Sequence, residues 1–64
     1  MISEWELWAV AVKLVEQHGE GAHAHALVRQ RELEAKGDTG GVNAWTAIAA
    51  RIEALQERPG GSTH

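Results

Sequence analysis

The stretch G-D-T-G-G-V-N-A-W-T-A-I-A-A-R-I-E-A-L, residues 37–55, decides how this 64-residue chain folds. Gly37 can adopt the left-handed conformation that ends a helix, and Asp38 follows at once as a natural N-cap for the next helix. Beyond this short turn, apolar residues recur at steps of three and four, as on one face of an α-helix. The stretch therefore predicts a last helix over about residues 39–57, with these side chains in the core: Val42, Trp45, Ile48, Ile52 and Leu55.

A first helix is predicted over about residues 4–18. Ser3 and Glu6 have the spacing of a capping box at its start, and Gly19 supplies a cap at its end. One apolar stripe of this helix contains Leu14 and belongs to the core. A second stripe makes the apolar surface wider than a single neighbouring helix covers. Its members are interface candidates, with burial in the chain's own core as the alternative for the tryptophans: Trp5, Trp8, Val12 and Val15.

The segment between these two helices is rich in alanine and charged residues, which favour a helix over about residues 22–36. Leu27 is its predicted core residue. Because the connecting turns are short, we expect an all-α fold, a small three-helix up-down-up bundle that is either self-sufficient or completed by a homodimer. Residues 1–58 form one domain in this prediction, and residues 59–64 form a disordered tail that starts at a proline.

Composition narrows the choice of partners. Six Lys and Arg against nine Asp and Glu give a net charge of −3, without a basic cluster that could bind nucleic acid. No apolar run is long enough to span a membrane, and the start of the chain lacks the basic region of a signal peptide. Cysteine is absent. We therefore expect a cytoplasmic protein that binds neither nucleic acid nor membranes.

The histidines are the first candidates for ligand chemistry. His18, His23 and His25 lie close together in the sequence, but His23 and His25 would point in opposite directions on a regular helix. No thiolate and no H-E-x-x-H motif accompanies them. Capping or solvated histidines are the favoured interpretation, and a weak metal or anion binder is the alternative. No catalytic residue, cofactor or metal site is predicted, and an enzyme is not expected.

Three motifs resemble those of a known family. They are Glu4-x-Glu6-Leu7-Trp8, then Gln17-His18-Gly19, then Gly37-Asp38-x-x-Gly41-Val42-x-x-Trp45-x-x-Ile48-Ala49-x-Arg51-x-x-x-Leu55. Together they resemble a family of short uncharacterised bacterial proteins catalogued as a domain of unknown function. The second helix is more polar than the family pattern. The resemblance implies a small bacterial protein and supplies no catalytic residues.

Two functional hypotheses follow from these observations. The first is a non-enzymatic helical module for protein–protein interaction, self-associating or docking another protein through the broad apolar surface of the first helix. The second is an acidic regulatory inhibitor, of the kind that phages and mobile elements encode, which covers a basic surface of its target. Only the net charge and the small size favour the second hypothesis.

Overall fold

The computed structural model describes residues 3–57, and this part of the chain is all-α, as the sequence predicts. Helix α1 spans Glu4–His18, helix α2 spans Ala22–Ala35 and helix α3 spans Thr39–Gln56. A single 3-10 turn, Gly19–Gly21, joins α1 to α2. Helices α2 and α3 each end one residue earlier than the sequence predicts. The predicted tail, 59–64, and the end of the predicted domain lie outside the described residues.

The first helix is capped at both ends by local chemistry. The Glu6 N–H donates to Ser3 Oγ at 3.2 Å, and the Ser3 N–H donates to Glu6 Oε1 at 2.9 Å, which is a complete capping box. At the other end Gly19 has φ 57° and donates its N–H to the Val15 carbonyl. A residue with a Cβ is strained at this φ, so glycine allows the chain to turn directly from α1 into α2.

The turn between α2 and α3 is short because Asp38 serves both helices. Gly37, at φ 76°, donates its N–H to the Glu34 carbonyl at 3.0 Å. The Asp38 N–H donates to the Leu33 carbonyl at 2.9 Å, which completes a Schellman motif at the end of α2. The Asp38 carboxylate then accepts the Gly41 N–H at 2.9 Å as the N-cap of α3.

Helix α3 packs against both of the other helices. It runs antiparallel to α2, where Gln30 Nε2 donates to Thr46 Oγ1 at 2.9 Å. Its C-terminal half packs against α1, where Gln56 Nε2 donates to the Gly19 carbonyl at 2.8 Å. Contacts between α1 and α2 are few, so these two helices resemble one long bent helix. The up-down-up order, which requires α1 to pack along α2, therefore stays a prediction.

The buried core is small, and most of its members are small side chains. Only three of the buried residues in the described part of the chain are larger than alanine, namely Leu14, Ile48 and Ile52. Burial of such a side chain contributes roughly 1.5–3 kcal/mol. Four alanines complete the core and let the helices approach closely: Ala11, Ala22, Ala26 and Ala49.

Two residues predicted in the core are not there. Leu27 is 37% exposed, because α2 turns Ala22 and Ala26 toward its neighbours and Leu27 lies about 100° further around the helix. Leu55 is 41% exposed, because α1 has already ended where Leu55 emerges from α3. Val42 and Trp45, also predicted in the core, are half-buried.

Candidate functional site

The outer surface of α1 carries an exposed apolar stripe. Trp5 is 76% exposed, Trp8 37% and Val12 42%, and Val15 is half-buried at the end of the same row. The buried side of α1 is set by Ala11 and Leu14, which pack toward α3 and lie about 120° around the helix from the stripe. Helix α3 therefore covers one of the two apolar stripes of α1, whereas the other is exposed from Trp5 to Val12 and packs against the core only at Val15. We call the four residues Trp5, Trp8, Val12 and Val15 the α1 stripe.

Arg51 borders the α1 stripe from the side of α3. Its guanidinium carbon lies 5.4 Å from the centroid of the Trp8 ring, within the range of a cation–π contact. Nη1 donates to the Ala47 carbonyl at 3.1 Å, and the buried Nε has no hydrogen-bond partner. This contact holds the Trp8 ring at the edge of α3. No local pattern in the sequence predicts this contact, because it depends on how α1 packs against α3.

An open groove of about 560 Å³ lies at the end of the α1 stripe. Val15 and Leu55 are its apolar walls, and Glu20 and Gln56 are polar members of its lining. The space beside Gly19 and Gly21 is open, because a Cβ at either position would meet no atom within 4 Å. At Gly19 a side chain would nevertheless be strained by the positive φ. The groove exists because the chain turns away at Gly19 while α3 continues to Gln56.

His18 and His25 form a small aromatic cluster with Trp45. His23 is not part of it. The rings of His18 and His25 are stacked, with centroids 4.4 Å apart and an interplanar angle of 17°. The His25 ring also meets the edge of Trp45 at 6.2 Å, and the Arg29 guanidinium lies 5.8 Å from the centroid of Trp45. These contacts pack the end of α1 and the first turns of α2 against Trp45 of α3.

This cluster does not have the geometry of a metal site. The nitrogen lone pairs of an imidazole lie in the plane of its ring, so those of two stacked rings run side by side and do not converge on one ion. Among residues 3–57, no group of three histidine, cysteine or acidic side chains is placed to hold a metal. The structure thus brings His18 and His25 together as packing partners and leaves His23 apart from them.

None of the helices in the described part of the chain is both long enough and apolar enough to cross a lipid bilayer. The exposed apolar side chains of α1 and α2 form two surface patches. The patch with Trp5 and Trp8 is the α1 stripe, and α2 carries a second, smaller one with Leu27 and Val28, the latter 52% exposed.

Comparison with protein-family models places the chain in a family. A family model described as a family of unknown function, DUF6961, matches residues 3–60 of the chain. This match confirms the resemblance to a domain of unknown function that the sequence motifs indicate. No curated protein and no solved structure gives a significant match.

Proposed function

The chain belongs to this family of unknown function, and we propose that it is a non-enzymatic helical interaction module that self-associates through the α1 stripe. The observation that carries the proposal is the exposure of Trp5, Trp8 and Val12 in one row on one helix. Tryptophan is enriched in the energetic centres of protein interfaces, where a large ring leaves water on binding.

The small core supports the same proposal. A chain of this length buries only about 60% of the surface that its unfolded form exposes, and little stability remains after the entropy of ordering is subtracted. Here the only large buried side chains in the described residues are Leu14, Ile48 and Ile52. Self-association would bury the α1 stripe and add two tryptophans to the apolar interior. In this proposal the homodimer completes a helical bundle that one copy leaves open.

The distribution of polar groups also favours binding over catalysis. Every buried residue in the described part of the chain is apolar, so its titratable side chains lie in contact with solvent. The groove beside Val15 is open and lacks a nucleophile with an adjacent base. No specific observation favours the acidic inhibitor or the histidine-based ligand site as a second candidate.

The test is the solution mass by light scattering on a sizing column over a wide range of protein concentration. We expect the mass to rise to that of a dimer, and we expect Trp5→Ala/Trp8→Ala to shift this rise to higher concentration. Val28→Ala removes an apolar side chain that is 52% exposed on α2, away from the α1 stripe, and is the control, with no expected effect. Circular dichroism would verify that all variants remain helical.

The opposite result is equally clear. A folded chain that stays monomeric up to about 1 mM would have a dimerisation free energy weaker than about 4 kcal/mol, and the proposal would be abandoned. A dimer that both tryptophan replacements leave unchanged would place the interface elsewhere on the surface.

A further inference from the structure

We propose that the second copy lies antiparallel on the α1 stripe and that Trp5 of each copy enters the groove of the other, against Val15 and Leu55. This inference rests on the proposed self-association and adds the orientation, the register and the pocket. Four observations carry it: the spacing of the stripe, its side-chain sizes, the charges beside it and the position of the groove.

The spacing of the α1 stripe is symmetric. Its residues are separated by steps of three, four and three, so the row reads the same in either direction along the helix. Two copies of α1 can therefore pair antiparallel with every member of the row matched. In this register Trp5 faces Val15 of the other copy, and Trp8 faces Val12 of the other copy. The steps are those of the a and d positions that form helix–helix seams.

The side-chain sizes select the antiparallel orientation. Each antiparallel layer joins one tryptophan to one valine, so all the layers have the same volume. A parallel pair would instead place Trp5 against Trp5 and Val12 against Val12, which crowds one end and leaves space at the other. Interfaces pack best when large side chains meet small ones at near-crystalline density.

The charges beside the stripe agree with this orientation. The first turn of α1 is acidic through Glu4 and Glu6. An antiparallel pair keeps the two acidic first turns apart, at opposite ends of the paired helices, and opposes the two helix dipoles. A parallel pair would place the two acidic turns together and align the two helix dipoles.

The groove is a receptor for the most exposed tryptophan. Val15 is both the last residue of the α1 stripe and a wall of the groove, so the side chain that faces Val15 also faces the groove. Trp5 faces it in the antiparallel register, and a buried tryptophan occupies 150–250 Å² of surface. The same insertion would cover Leu55, which is 41% exposed in the single copy. Each copy supplies one ring and one groove, as a two-fold interface requires.

The test uses the absence of cysteine from the chain. Ala9→Cys and Glu16→Cys place thiols on the same exposed side of α1, about 20° apart around the helix. In the antiparallel register residue 9 lies about 3 Å along the axis from its counterpart, whereas residue 16 lies about 18 Å from its own. With a short thiol-specific bis-maleimide cross-linker, we expect Ala9→Cys to give several-fold more covalent dimer than Glu16→Cys.

The outcomes separate this inference from the proposed function. Equal cross-linking of the two variants, in a protein that light scattering shows to be dimeric, would overturn the antiparallel register and leave self-association standing. Absence of a dimer would overturn both. Leu55→Ala provides a second test. If Trp5 occupies the groove, Leu55→Ala raises the dimer dissociation constant. The double variant Trp5→Ala/Leu55→Ala should then lose less dimerisation free energy than the sum of the two single losses. Full additivity of the two changes would contradict the pocket.

Discussion

At the scale of single residues, Asp38 stabilises the ends of two helices. Its N–H closes the Schellman motif on Leu33 of α2, and its carboxylate caps α3 at the Gly41 N–H. Because Asp38 has both roles, the chain reverses its direction over Gly37 and Asp38, and α2 and α3 lie side by side. Their contact is the most extensive between any two elements in the described residues.

We expect Asp38→Ala to lower the free energy of unfolding by about 1 kcal/mol, because the α3 cap is lost while the backbone hydrogen bonds of the Schellman motif remain. Asp38→Asn keeps an oxygen that can accept the Gly41 N–H and should cost much less. Urea unfolding followed by circular dichroism would measure both changes. Equal destabilisation by the two variants would mean that the charge, rather than the hydrogen bond, is what stabilises α3.

At the scale of elements, the first turn of α3 contains two glycines with different surroundings. A Cβ on Gly41 would lie 2.8 Å from Leu33 Cδ1 and 2.9 Å from Asp38 Oδ2. A Cβ on Gly40 would meet only Asp38 Oδ1, at an ordinary 3.8 Å. Gly41 is therefore packed closely against Leu33 of α2 and the Asp38 cap, and Gly40 is not constrained by its neighbours.

This difference predicts opposite effects of the same replacement. Gly40→Ala should be neutral or raise the free energy of unfolding by up to about 1 kcal/mol, because alanine favours a helix. Gly41→Ala gains the same propensity but displaces Leu33 and the capping carboxylate, so we expect it to be less stable than Gly40→Ala by about 1 kcal/mol or more. Thermal and urea unfolding would measure the free energy of unfolding of the two variants. If Gly41→Ala were the more stable variant, Leu33 would have room to move away.

At the scale of the whole molecule, the fold is a long bent helix, α1 and α2, braced by α3 across both halves. The longest dimension is 42 Å against 22 and 19 Å for the other two. Such a shape has much surface for its volume, which agrees with the few large side chains in its core. Stability should therefore depend on what covers the α1 stripe.

We expect the midpoint of thermal unfolding to rise with protein concentration, because dimerisation stabilises the folded state by mass action. In Trp5→Ala/Trp8→Ala the midpoint should be lower and should change little with concentration. Differential scanning calorimetry at several concentrations would measure both. A midpoint that is independent of concentration in the wild-type chain would show that one copy is stable without a partner.

Much of this protein follows from local sequence chemistry. The capping box at Ser3, the positive-φ glycines 19 and 37 and the cap at Asp38 set where the helices begin and end, and each of these acts within a few residues. The three- and four-residue spacing also placed Leu14, Ile48 and Ile52 on buried sides, and it identified the α1 stripe as surplus apolar surface.

Tertiary structure decided what local patterns could not. Leu27 and Leu55 have the same spacing as core residues, yet they are exposed, because the alanines of α2 take its inner side and α1 ends before it can cover Leu55. The contact of Arg51 with Trp8 and the groove beside Val15 join residues far apart in sequence, and the stacking of His18 on His25 joins two different helices. They depend on the angle between helices, and only packing in three dimensions sets that angle.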